Sequence, residues 1–266
     1  MKTKLALLLC FSCVCLGATA QEWAVAKLEK SSRHGEWVTV TNGTRAVQCW
    51  VVYPEVKDKA TAVLVIHEIF GLSDWARTVT DELAAAGYIA IAPDLLSGAG
   101  PKGGGTSELP SQEIGRAIQK LPADQITGDL NAAADYVKSL PAANGKLVVS
   151  GFCWGGGQSF RFAASRPDLS AAFVFYGPPP PAAILQKVSC PVYGFYGGND
   201  GRITLTVTNT QAIMQSAGKT YAPVVYDGAG PGIMRGGEPE LPNARPGDQK
   251  AHDQAWDRLK SLLLKI

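Results

Sequence analysis

The chain has 266 residues, 46% of them hydrophobic, with 25 basic residues against 23 acidic. That is enough chain to bury one large core, and the near balance of charge argues against nucleic acid or an anionic membrane surface as a partner. No stretch reaches the roughly 20 apolar residues of a membrane span. Residues 1–20 carry Lys2 and Lys4, an apolar run from Leu5 to Leu16, and Ala18-Thr19-Ala20 before Gln21. This is the pattern of a secretory signal peptide with a small-residue cleavage site. The expectation is a signal peptide over 1–20, a single domain over 21–266, and a secreted or periplasmic protein. Processing would remove both lysines and leave 23 basic against 23 acidic residues, with Cys49, Cys153 and Cys190 as the remaining cysteines. An odd number leaves at least one thiol unpaired. Cys49 and Cys190 lie in apolar runs where a core thiol is the commoner state, and a bridge between them is the alternative.

In chain order, Glu36 to Val40 and Ala46 to Tyr53 flank Asn42-Gly43-Thr44 and predict a β-hairpin at a sheet edge. Thr61 to His67 predicts a buried strand, Ser73 to Ala86 a capped helix ending at Gly87, and Tyr88 to Ala92 a further strand, which together make a βαβ unit. Ser97 to Pro110, loaded with Gly and Pro, predicts a long surface loop. Its Gly103–Gly105 cluster has no Gly-Lys-Ser/Thr after it and so is not a phosphate loop. Ile126, Leu130, Ala133, Ala134 and Val137 mark one face of a helix over Asp124 to Leu140. Strands over 171–176, 191–196 and 221–226 alternate with a helix from about Leu205 to Ala217, and an amphipathic helix over Asp248 to Leu263 closes the chain. Apolar strands alternating with helices predict an α/β fold with a mostly parallel sheet covered on both faces.

The most informative stretch is Gly151-Phe152-Cys153-Trp154-Gly155, between the strand Lys146–Ser150 and a helix over Gly156 to Ser165. Glycines two residues either side of Cys153 permit a sharp strand-to-helix elbow that projects the side chain between them. A thiol at a helix N-terminus also feels the positive end of the dipole, which predicts a shift toward thiolate. A cysteine buried structurally in a glycine-rich turn is the alternative.

In a parallel sheet, function gathers in loops at the carboxyl ends of strands. Here these are His67-Glu68-Ile69-Phe70-Gly71, the Gly197-to-Gly201 loop with Asp200, and the run from Asp227 to Arg235. Residues 67–72, residues 87–95, the elbow and the Asp200 loop resemble the dienelactone hydrolases, a cysteine-nucleophile branch of the α/β-hydrolase fold. The resemblance runs from about residue 36 to the C-terminus. It implies Cys153 as nucleophile, Asp200 as triad acid, and Glu68 as the family's glutamate near the thiol. It also implies the N–H groups of Ile69 and Trp154 as oxyanion hole, with Arg235 and Phe70 at the substrate. No cofactor and no metal are expected, and the partner is a small-molecule ester or lactone.

Two departures qualify it. Where the family carries its catalytic histidine, this chain has Pro231, with neither an ionisable side chain nor a backbone N–H. Of the three histidines, His67 is expected to pack or hydrogen-bond locally, His252 to be a solvated cap opening the terminal helix, and His34 to precede the first strand. The family's arginine after Pro-Asp-Leu is also missing, since Pro93-Asp94-Leu95 leads into Leu96-Ser97-Gly98, which favours a neutral substrate over an anionic lactone. A secreted ester or lactone hydrolase, impaired in turnover, is one reading. A catalytically reduced homologue that keeps the pocket for binding is the other.

Overall fold

A computed structural model describes residues 21–266, so the expected signal peptide lies outside the described residues. The eight strands are β1 (Gly35–Asn42), β2 (Arg45–Val52), β3 (Ala60–Ile66), β4 (Ile89–Pro93), β5 (Ala143–Phe152), β6 (Ala171–Phe175), β7 (Val192–Gly197) and β8 (Tyr221–Tyr226). They form one sheet in the order β1-β2-β4-β3-β5-β6-β7-β8. The hairpin β1–β2 lies antiparallel at one edge, as its turn residues predict, and everything from β4 to β8 is parallel.

All seven residues of β3 are buried, because both faces of the strand meet side chains. Ala62, Leu64 and Ile66 enter the core shared with helices α4 (Ala123–Ser139) and α5 (Trp154–Ser165). Val63 and Val65 enter the core under α2 (Asp74–Ala85) and α9 (Pro246–Leu263). A strand buried on both sides reads as a continuous apolar run, which is why the sequence identified it. The long loop after β4 contains one short 3₁₀ turn, Thr106–Glu108.

The helix predicted from about Leu205 is α7 (Val207–Ser216). Beyond the single turns α6 (Ala182–Leu185) and α8 (Ile233–Gly236), two longer helices lie outside the predicted set: α1 (Glu22–Glu29) at the beginning of the described chain and α3 (Ser111–Gln119) after the glycine-rich loop. Each buries a single residue, Ala24 in α1 and Ile118 in α3. In α1 the 3.6-residue periodicity is correspondingly weak, whereas α3 is amphipathic but only nine residues long and follows directly on the Gly- and Pro-rich stretch. The elbow strand and its helix are longer than predicted, since pairing to β3 and β6 extends β5 through Phe152 and α5 begins directly after Cys153. Cys49 and Cys190 are free, buried thiols.

The strand order reverses between β3 and β5, and Ile66 pairs with Gly151 across that junction. The chains that leave these two strands therefore emerge side by side at the carboxyl end of the sheet. A crevice at such a reversal is where open α/β sheets bind ligands.

Candidate active site

Cys153 has φ 55° and ψ −117°, a conformation that L residues rarely adopt. Its N–H donates to the Phe175 carbonyl at 3.0 Å. The flanking glycines make the bend sterically feasible. A Cβ on Gly151 would lie 2.1 Å from the Gly155 carbonyl oxygen, and one on Gly155 would lie 2.4 Å from the carbonyl oxygens of both Ile66 and His67. The elbow is thus pressed against the loop after β3, and the sequence-level argument for glycine holds in three dimensions.

That neighbouring loop is fixed from outside. Leu72 N–H donates to Thr106 Oγ1 at 3.1 Å, and the Thr106 hydroxyl and N–H both donate to the Asp94 carboxylate at 2.7 Å. Gly71, at φ 70°, packs so tightly on Thr106 that a Cβ would sit 2.3 Å from Oγ1. The glycine-rich loop therefore serves as a buttress for residues 67–72. Among the described residues no protein acceptor takes the Ile69 N–H, and the Trp154 N–H lies against the Cys153 sulfur.

Around the thiol is a charged cluster. Glu68, with a side chain only 3% exposed, accepts from Arg235 Nε at 2.8 Å. The Arg235 guanidinium also lies 4.7 Å from the centre of the Phe70 ring, and Phe70 is 45% exposed. Burial pushes the Glu68 carboxyl above its ordinary range against the opposing pull of Arg235. Burial likewise raises the Cys153 thiol, Glu68 adds to the rise, and the Trp154 N–H, Arg202 and Arg235 only partly offset it. The expected shift toward thiolate is therefore corrected in direction: desolvation and a like charge outweigh the helix terminus.

Two residues of this cluster escaped sequence analysis. Tyr176, at the end of β6, has φ 40°, and its buried hydroxyl finds no partner of regular geometry while facing the charges of Glu68, Arg235 and Cys153. Positive φ at a non-glycine residue marks a strained position, and nothing in a Phe-Tyr-Gly string announces it. Arg202 reaches the thiol electrostatically from the Asp200 loop.

The other loops are built differently. Asp200 is buried, but its Oδ1 accepts from the N–H groups of Arg202 and Ile203 at 3.1 and 3.0 Å. It caps its own turn. The loop after β8 does lie beside it, with Asn199 N–H donating to the Ala229 carbonyl at 2.8 Å, and there Pro231 is exposed. None of the three histidines fills the gap. His67 is fully buried, with Nδ1 donating to the Glu68 carbonyl at 2.8 Å and Nε2 accepting from Leu95 N–H at 3.4 Å. Both nitrogens are committed, the ring stacks on Trp154, and burial lowers its proton affinity. His252 is not the solvated cap that was expected. It is buried in α9, where Trp256 Nε1 donates to its Nε2 at 3.1 Å, because it lies four residues before Trp256 and seven before Leu259, on the helix's apolar face. His34 is exposed against Glu36 and Tyr53.

A parallel sheet with a cysteine elbow at its reversal point and a loop-borne acid after β7 defines an α/β-hydrolase. The dienelactone hydrolase family profile matches residues 47–266, and the chain belongs to that family. It is 34% identical over 182 residues to a "Putative carboxymethylenebutenolidase" of Methylorubrum extorquens, which covers 63% of this chain and 61% of that protein. The protein of the same name from Salmonella typhimurium is 34% identical over 193 residues, covering 66% and 69%. The chain thus spans about three-fifths to two-thirds of the length of these relatives. In fold it is similar to a crystal structure described as a "Putative Dienelactone Hydrolase" from Klebsiella pneumoniae, with a TM-score of 0.76 and 24% identity over 88% of this chain and all of that one.

Proposed function

We propose that the protein is an exported hydrolase of the dienelactone hydrolase type in which Cys153 attacks the carbonyl of a neutral ester or lactone. The observation that carries this reading is the Cys153 elbow, held at φ 55° by glycines that admit no side chain, at the point where the sheet reverses. Export is inferred from the Lys2/Lys4, apolar-run and Ala18-Thr19-Ala20 pattern. Its check is N-terminal sequencing of the protein recovered outside the cytoplasm, which should begin at Gln21.

In the proposed reaction the Glu68 carboxylate takes the thiol proton as sulfur bonds to the carbonyl carbon. The carbonyl electron pair moves onto oxygen, which the Ile69 and Trp154 N–H groups receive. Collapse breaks the ester C–O bond, and the departing oxygen recovers the proton from Glu68, leaving a thioester on Cys153. Arg235 favours the ionised form of Glu68 against the burial that raises its carboxyl. Its charge is thereby already balanced, which favours an uncharged substrate over one that brings a carboxylate.

Release of the acid requires a base to activate water. With Pro231 in the base position and His67 and His252 committed elsewhere, only Glu68, set toward the sulfur and tied to Arg235, is left to activate water, so that step is slow. A chromogenic ester should give a burst equal to the concentration of Cys153, followed by a much slower steady state. Fast turnover that survives replacement of His67 and His252 would show that the base comes from elsewhere. No reaction at Cys153 would leave the second reading, a family member that only binds, which the loss of the histidine favours.

A further inference from the structure

A cavity of about 390 Å³ opens beside the candidate site, bounded by Phe70, Trp75 and Arg235 from the hydrolase scaffold, Gln112 from α3, and Trp23 and Leu241 on the remaining sides. Its size falls within the range of small-molecule sites. A larger hollow of about 590 Å³, lined by Lys27, Glu82, His252 and other polar chains, touches no residue of the elbow or of the residue 68–70 loop.

The origin of Trp23 is informative. It belongs to α1, which precedes residues 47–266, the part that matches the family profile. The helix is clamped in place by polar contacts. At its start Gln21 Oε1 accepts from Asp74 N–H at 3.1 Å, capping α2. Towards its end Lys27 pairs with Glu82, and with Glu238 at 3.5 Å and Glu240 at 3.3 Å. Just beyond it, Ser31 Oγ donates to Asp81 at 2.6 Å. The opposite side is equally fixed, since Trp75 Nε1 donates to Glu238 Oε1 at 2.7 Å. A helix held at both ends gives an indole a set position, and such positioning is what specificity requires.

We propose that α1 supplies the selecting wall of the substrate pocket: Trp23, with Phe70, Trp75 and Leu241, receives an uncharged aromatic or branched apolar acyl group. The proposal rests on the hydrolase reading above, because Phe70 and Arg235 connect the cavity to the Glu68–Cys153 pair. The walls offer aromatic and aliphatic surface, and the one cation among them is already paired with Glu68 through Nε. A carboxylate in the acyl group would meet a guanidinium whose charge Glu68 already balances and would lose its hydration against aromatic and aliphatic walls, whereas an aromatic ring would stack on Trp23 or Phe70.

The test compares acylation of Cys153 by 4-nitrophenyl phenylacetate, 4-nitrophenyl acetate and mono(4-nitrophenyl) succinate, read as burst rates in the purified protein. The phenylacetyl ester should react at least tenfold faster than the acetyl ester and the succinyl ester more slowly than either. Trp23→Ala should lower the phenylacetyl-to-acetyl ratio about tenfold. Leu241→Trp, at a partly exposed position that folding tolerates, should do the same by filling the cavity. Unchanged ratios in both variants would overturn the proposal, as would a preference for the succinyl ester.

Binding of the neutral fluorophore N-phenyl-1-naphthylamine to Cys153→Ala protein separates the two readings. A tenfold weaker affinity after adding Leu241→Trp supports the apolar pocket independently of any reaction. Fluorophore binding that depends on Leu241, without acylation by any ester, would overturn the substrate assignment through the hydrolase reading and not through the pocket. Binding indifferent to both substitutions would overturn the pocket itself.

Discussion

The two halves of the candidate site are built on different physical terms. The thiol half, formed by the elbow and the residue 67–72 loop, is a backbone construction: Gly151 and Gly155 leave no room for a Cβ, Ile66 pairs with Gly151, and the Asp94–Thr106 hydrogen bonds hold the adjoining turn. The proposed acid–base half rests on single side chains, and there Asp200 caps its own loop while Pro231 stands exposed where the family resemblance puts the base. A geometry shared with the core packing is lost only together with the fold. A proton-relaying side chain on a surface loop can disappear at almost no cost in stability.

Breaking the thiol half should have the largest effect. Cys153→Ala is expected to abolish the ester burst, a loss on the order of 10⁴ to 10⁶ in acylation rate, measured by stopped-flow release of the chromophore. Restoring the other half should have the opposite sign. Pro231→His is expected to raise steady-state turnover by about 10² to 10⁴, the range that a positioned general base contributes, while leaving the burst amplitude unchanged. Asp200→Asn sharpens the contrast. In the native background it should alter turnover by less than about threefold, whereas in the Pro231→His background it should remove most of the gain, because only then is there an imidazole for Asp200 to orient.

Gly155→Ala tests the backbone character of the elbow. Its Cβ would strike two carbonyl oxygens at 2.4 Å, so a loss of stability on the order of 3 kcal/mol is expected in urea denaturation. Glu68→Gln separates thiol ionisation from proton transfer. Removing the like charge lowers the pH at which Cys153 ionises, so iodoacetamide labelling at pH 7 should speed up several-fold while ester acylation slows.

The smallest effect concerns Glu238, behind the pocket wall. Burial, with the nearby charge of Glu82, pushes its carboxyl up to about 8 against the pull of Lys27. Between the ordinary carboxylate range and about pH 8 the folded protein holds a proton that the unfolded chain has released, so stability falls as pH rises through that window. Glu238→Gln should flatten this slope, seen as a melting temperature that stays level from pH 5 to 8.

Much of this was legible in the chain. The doubly buried strands are apolar runs, and the elbow is a pair of glycines around a cysteine. The position of His252 was misjudged although its spacing was legible: it stands four residues before Trp256 and seven before Leu259, and so shares their buried face whichever residue opens the helix. Tyr176 went unnoticed because positive φ at a tyrosine is imposed by neighbouring strands and not by its own residue type.

By itself the sequence determined the order of strands and helices and the place of the elbow, because periodicity and glycine spacing are local properties that each segment carries alone. Only the tertiary structure decided the protonation of Cys153, since burial and the Glu68 charge come from segments 85 residues apart in the chain. The same holds for the contribution of Trp23 to the pocket, because a helix with one buried residue is placed by its partners rather than by its own pattern.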